Sequence, residues 1–144
     1  MTRRDFDKLH NEIEELFADL WQVPRFSGTR RGFRPNVDSY HTLEPHELTV
    51  VVELPGVDPA SVQVVAGERM LVIAGERRRP KVAGHVYHQM EIEYGPFQRQ
   101  VRLPEDVNPD AARAHFENGV LTVSLPISPT APSHDRIAIR VELA

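Results

Sequence analysis

The chain has 144 residues, 40% of them hydrophobic, with 21 acidic against 17 basic side chains and a net charge of -4. That length supports one domain of ordinary size with flanking segments, and the acidic balance offers no global attraction to nucleic acid or anionic lipid. The absence of cysteine excludes disulfides, thiol nucleophiles and thiolate metal sites; with no leader-like start and no apolar run of membrane-spanning length, a soluble cytoplasmic protein is expected.

From Phe6 the apolar positions Phe6, Leu9, Ile13, Leu16 and Leu20 recur at spacings of three and four, and Phe17 and Trp21 widen the stripe. That is the helical period. Asp5 caps the predicted helix and Pro24 stops it, giving a rod of about 25 Å at 1.5 Å per residue. The polar face carries Asp7, Glu12, Glu14, Glu15 and Asp19 against Lys8, which argues against an anionic membrane surface. The stripe either packs on its own domain or serves as a contact surface for other chains. Arg25 to Arg34 holds four arginines, two glycines and no acid, and reads as a linker that leaves the helix undocked. Those arginines lie beside Phe26 and Phe33, a combination that RNA-binding patches also use. The patch is short in an acidic chain, so no nucleic-acid partner is expected. Residues 1–34 thus form an N-terminal segment of helix and linker.

A domain over residues 35–126 is expected next. Val37 and Tyr40 suggest a short edge strand, and Glu47 to Glu53 a strand with an apolar centre. Pro55-Gly56 turns the chain, and Asp58-Pro59-Ala60-Ser61 is a polar turn. Val62 to Val65 and Met70 to Ala74 follow, joined at Gly67-Glu68. Beyond a long loop, Phe97 to Leu103 forms another strand. Ala114 to Leu125 then reads as a hairpin about Asn118-Gly119, because both residues tolerate the positive φ of a type I′ turn. Before the turn Ala114 and Phe116 share a face; after it Leu121, Val123 and Leu125 do. Three strands run out at Leu-Pro: Leu54-Pro55, Leu103-Pro104 and Leu125-Pro126. Short strands at regular intervals with Gly, Pro and Asn turns give an all-β, immunoglobulin-like β-sandwich that needs no internal helix.

Arg77 to Gly95 interrupts that rhythm with a long segment of the kind that is functional or disordered. Within it Val86, His88 and Met90 alternate with Tyr87 and Gln89, so a short strand is expected there, the alternative being a floppy excursion. After Pro126, residues 127–144 form an extension. A tether rich in Pro, Ser and Thr leads to Ile137-Ala138-Ile139, whose two β-branched residues project to one side of an extended strand and suit paired pockets in a sheet groove. About ten tether residues stretch roughly 30 Å, enough to reach another subunit. The alternative, in which this strand closes its own sheet, remains open. Val141 and Leu143 continue the alternation beyond the motif.

Four of these motifs, in order, carry a resemblance. Leu54-Pro55-Gly56 resembles the L-P-G turn, Phe97, Arg99, Leu103 and Pro104 the F-x-R-x-x-x-L-P segment, and Ala114, Asn118, Gly119, Val120 and Leu121 the A-x-x-x-n-G-V-L signature of the small heat-shock proteins of bacterial and plant type, the α-crystallin domain family. Ile137 and Ile139 match the family's I-x-I tail. One departure is Ile92 after Glu91, where the family often has Arg. The resemblance implies an ATP-independent chaperone, a holdase that binds partly unfolded proteins under stress through mobile apolar groups such as those of the helix at Phe6 to Trp21. It also implies a reciprocal dimer, in which the segment Val86, Tyr87, His88, Met90 and Glu91 pairs with the first strand of a neighbour, and a larger homo-oligomer held by the tails. The other class of reading is a scaffold or co-chaperone module that binds one defined partner through the groove of the same sandwich.

Enzymatic motifs are missing: there is no Gly-x-Ser-x-Gly elbow, phosphate-cradling loop or dinucleotide glycine triplet, so no catalytic residue and no cofactor are expected. His41, His46, His85, His88 and His115 form no recognisable ligand set, and no metal is expected. Arg99 lies on the side of Phe97 and Val101. It must therefore meet a carboxylate or carbonyls at a subunit or sheet interface, a role placed ahead of ligand binding.

Overall fold

The structure, a computed structural model, describes residues 32–67, 69–128 and 136–144. The expected helix, with Phe6, Leu9, Ile13, Leu16, Phe17, Leu20 and Trp21, lies outside the described residues. Among the described residues nine strands follow one another: β1 (Val37–Leu43), β2 (His46–Glu53), β3 (Gln63–Gly67), β4 (Met70–Arg77), β5 (Gly95–Arg102), β6 (Arg113–Glu117), β7 (Val120–Pro126), β8 (Ile137–Ile139) and β9 (Val141–Leu143). They form a five-stranded sheet ordered β1-β2-β7-β6-β9 and a four-stranded sheet ordered β5-β4-β3-β8. The all-β sandwich read from the sequence is what folds.

The core lies between the sheets. Val50, Val52, Leu121, Val123 and Leu125 come from one sheet and Val64, Leu71, Ile73, Phe97 and Val101 from the other. Within β2, β4, β5 and β7 these residues are an even number of positions apart and so share one face, as a half-buried sheet requires. The leucine of each Leu-Pro pair, Leu54, Leu103 and Leu125, is fully buried, so strand ends are plugged with apolar side chains where proline stops the ladder. On the four-stranded sheet the cross-strand pair Val65 and Val72 is buried as well, outside that cluster.

Short 3-10 turns at Pro59–Ser61 and Pro109–Ala111 bridge the sheets. In each, the preceding Asx side chain accepts a backbone N–H two residues on: Asp58 from Ala60 at 3.0 Å and Asn108 from Asp110 at 3.1 Å. The β6–β7 hairpin turns at Asn118 (φ 54°) and Gly119 (φ 75°), the geometry that the Asn-Gly pair announces. Gly119 also accepts the backbone N–H of Leu54 at 2.7 Å, and a Cβ at 119 would sit 3.0 Å from the Cα of Pro55. The L-P-G turn and the Asn-Gly turn are thus packed against each other.

Candidate functional site

The candidate functional surfaces are sheet edges and the segments that meet them. The first is a groove on β3 and β6. The tail supplies both closing strands: β8 pairs antiparallel with β3, setting Ile139 opposite Val64 and Ile137 opposite Ala66. After one residue β9 pairs parallel with β6, setting Val141 opposite Ala114 and Leu143 opposite Phe116. Ile139 is 7% exposed and joins the core, Ile137 is half-buried, and Ala138 between them faces solvent, which is the alternation that i and i+2 side chains impose. Ala144 donates its N–H to Phe116 at 3.3 Å and ends the run. Of the two seats the sequence leaves open, the described chain uses its own groove. Val141, unassigned in the sequence reading, packs against the core, whereas Leu143 stays exposed.

The second surface is β1, the outer strand of the five-stranded sheet. Its residues are mostly exposed, with Tyr40 at 51% and Leu43 at 77%. The third is the long loop. Arg77 and Gly95 turn out to be the last paired residues of β4 and β5, so the loop proper spans residues 78–94. No strand forms at Val86 to Met90. The physical reason is that a lone strand leaves its backbone donors and acceptors without a ladder, and no neighbouring strand lies alongside among the described residues. Residues 81–93 are all exposed, including Val86 at 77%, Met90 at 58%, Tyr87, His88 and Glu91. Gln89 donates its side-chain amide to Glu91.

The loop is nonetheless held at its root. Arg77 donates from Nε to the carbonyl of Glu93 at 2.8 Å and from Nη1 to that of Pro55 at 3.1 Å, and its Nη2 donates to Glu93 as well. Sequence reasoning passed over Arg77; its signal was an arginine facing Tyr94-Gly95 across the mouth of a long hairpin. Gly75, two residues earlier, leaves space for Phe97, since a Cβ there would lie 2.7 Å from the ring's Cζ.

Arg99 sits between Phe97 and Val101 on β5, half-buried, and donates from Nη1 to the carbonyl of Pro35 at 2.5 Å. Burial, and secondarily the charge of Arg34, pulls its pKa below the usual arginine value. At the β3–β4 turn, Arg69 (φ 58°) forks onto Asp106, Nε to Oδ1 at 2.8 Å and Nη2 to Oδ2 at 3.1 Å. The hydrogen bond and then the charge of Asp106 raise the pKa of Arg69. Ala114 and Leu121 are core residues, Val120 is half-buried, and Asn118 and Gly119 form the turn. Among the described residues no three His, Asp or Glu side chains converge as a metal site would, and no helix is long and apolar enough to cross a membrane.

Residues 41–142 match the Hsp20/alpha crystallin family. The chain belongs to that family. It is 39% identical over 131 residues to the 16.9 kDa class I heat shock protein 1 of Triticum aestivum, covering 81% of this chain and 85% of that one. It is 32% identical over 119 residues to small heat shock protein C2 of Rickettsia felis, covering 82% and 76%. Among solved structures, heat shock protein 16.0 from Schizosaccharomyces pombe superposes with a TM-score of 0.62 at 31% identity, over 75% of this chain and 99% of the other. The hspA protein from Xanthomonas axonopodis gives 0.60 at 30%, over 69% and 98%. The chain is a small heat-shock protein with an α-crystallin β-sandwich and a chaperone role.

Proposed function

We propose that this small heat-shock protein is an ATP-independent holdase that works as a large homo-oligomer built from dimers. In the dimer, Val86, Tyr87, His88 and Met90 of each loop pair as a strand with β1 of the other subunit. The observation that carries the reading is the match between two surfaces left unmet among the described residues, an outer strand showing Tyr40 and Leu43 and a loop showing Val86 and Met90 with no ladder of its own. Strand addition would satisfy the loop's backbone and cover the apolar groups in one step, while blunting an edge that invites aggregation.

Higher assembly would use the tail groove. A tail seated in a neighbour's groove makes the same contacts as one seated in its own, and the tether at residues 127–136 spans roughly 30 Å when extended. Which seat is filled is then a question of effective concentration. The helix expected at Phe6 to Trp21 is proposed as the client- and assembly-binding element, because clients expose apolar area on heating and an apolar stripe covers it without chemistry. The cysteine-free sequence suits a reducing compartment such as the cytoplasm.

The test is heat-induced turbidity of several unrelated proteins with near-stoichiometric chain added. Suppression of all of them without nucleotide, with ATP adding nothing, is expected. Suppression of none ends the holdase reading, and suppression of a single protein points to a dedicated binding module.

A further inference from the structure

We propose that Arg77 is a latch that couples the arm preceding the sandwich, Gly32 to Asn36, to the loop at residues 78–94. The dimer consequence of this coupling rests on the loop reading given above.

The arm closes the β5 side of the molecule. A Cβ at Gly32 would lie 2.9 Å from the carbonyl of Pro96, Pro35 accepts from Arg99, and Asn36 accepts the N–H of Glu53 at 3.1 Å. Phe33 meets the ring of buried Phe97 edge-on, with centroids 5.7 Å apart and planes at 84°. The Arg77 guanidinium then lies 3.6 Å from the Phe33 centroid. With its N–H groups it holds Glu93 in the returning limb of the loop and Pro55 in the L-P-G turn. Tyr94 lies 5.6 Å from the same guanidinium, Arg79 is 4.5 Å from Tyr94 and 5.2 Å from Tyr87, and Tyr87 meets His85 edge-on at 4.7 Å.

A relay of rings and guanidiniums therefore runs from Phe97 through Phe33, Arg77, Tyr94, Arg79 and Tyr87 to His85, with no carboxylate on Arg77 or Arg79 among the described residues. Only arginine fits the central place. Its planar group can stack on a ring while its edge donates to carbonyls, which the compact ammonium of lysine cannot do. Moving Phe33 removes the face on which Arg77 rests, so the loop root loosens although the loop itself is unaltered.

The full chain is tested as Phe33→Leu, Arg77→Lys and the double variant, with Val107→Ala as a control that loses packing at the other end of β2. Two readouts are taken: the rate of tryptic cleavage after Lys81, and the rate of subunit exchange by energy transfer between amino-terminally labelled chains. Each single change is expected to speed cleavage about three- to tenfold, the size of one aromatic–guanidinium contact. The double variant should go no faster than the faster single, because both act on one link. Cleavage unchanged by Phe33→Leu, or effects that multiply in the double variant, overturns the coupling; a control that also speeds cleavage shows general loosening and overturns it too. Deleting residues 82–92 separates the two readings. If the dimer survives that deletion, the loop reading fails while cleavage after Lys81 in the undeleted variants still decides the coupling. If the deletion gives monomers, exchange should follow cleavage.

Discussion

Replacing Ile137 and Ile139 together by alanine should unseat the tail. Ile139 is 7% exposed between β3 and the core, and Ile137 is half-buried opposite Ala66. Truncating the first removes apolar area worth about 2 kcal/mol, and the second, with part of its surface already wet, about 1 kcal/mol. Together that is about 3 kcal/mol, slightly more than two powers of ten in the seating equilibrium. Hydrogen exchange of residues 137–143 reads the effect directly, because the amides of β8 and β9 are protected only while the tail lies on β3 and β6. Protection there should fall by roughly a hundredfold while β2 and β7 in the centre of the sandwich stay protected. Light scattering on the same sample should show the large species giving way to dimers. Tail amides protected as in the parent would refute the burial reasoning. Tail amides released at unchanged mass would show that the groove is filled within the chain and that assembly relies on the helix.

Gly75→Ala drives a Cβ to 2.7 Å from the Phe97 ring and 3.3 Å from the Ser61 carbonyl, and should cost about 1–3 kcal/mol, seen by calorimetry as a midpoint lowered by several degrees. Gly119→Ala at φ 75°, with Pro55 Cα 3.0 Å away, should cost about 1–2 kcal/mol, and an unchanged denaturation midpoint would count against the turn packing. Leu43→Lys on β1 should weaken the dimer and leave the circular dichroism of the sandwich unaltered; a full-strength dimer would place the interface elsewhere. Arg69→Ala breaks an exposed fork with Asp106, so the loss should be small and should vanish in high salt; a loss that persists there would mean that the turn, not the charge, is what Arg69 holds.

The sandwich was legible because its signals are local. Alternation at Val50 and Val52 and at Leu121, Val123 and Leu125 states which face is buried, and Asn118-Gly119 fixes a register that the positive φ values then realise. The pairing of β9 with β6 was not legible, since a parallel partnership between residues 141–143 and 114–116 leaves no mark at short range. Arg77 was missed for a similar reason: its partners, Phe33, Pro55 and Glu93, are brought together only by the fold. The expected strand at Val86 to Met90 shows the limit from the other side. Alternation gives a segment the capacity to be a strand, but a ladder needs a second strand, and periodicity says nothing of where that one comes from.

The sheet edges decide how the remaining surfaces must be met. An open sandwich has four, and each exposes a row of backbone donors and acceptors that would template the addition of another chain. The tail covers β3 with β8 and β6 with β9, and strands of three residues are themselves poor templates. The arm at Gly32 to Asn36 lies against β5 through Pro96, Phe97 and Arg99. Among the described residues β1 is left as a seven-residue edge with nothing beside it, and the loop at 78–94 is left with apolar side chains and no ladder. The loop is anchored on β4 and β5, in the opposite sheet from β1, with its root tied down by Arg77. Two such surfaces on opposite sheets of one chain are best satisfied by two copies, each lending the other what it lacks, and a two-fold arrangement does this twice with one kind of contact. A chain whose loop cannot reach across would keep one open edge per subunit, and the expected consequence of deleting residues 82–92 is therefore a folded monomer that aggregates at concentrations the parent tolerates. A deletion variant as soluble as the parent would mean that β1 is protected by some other segment.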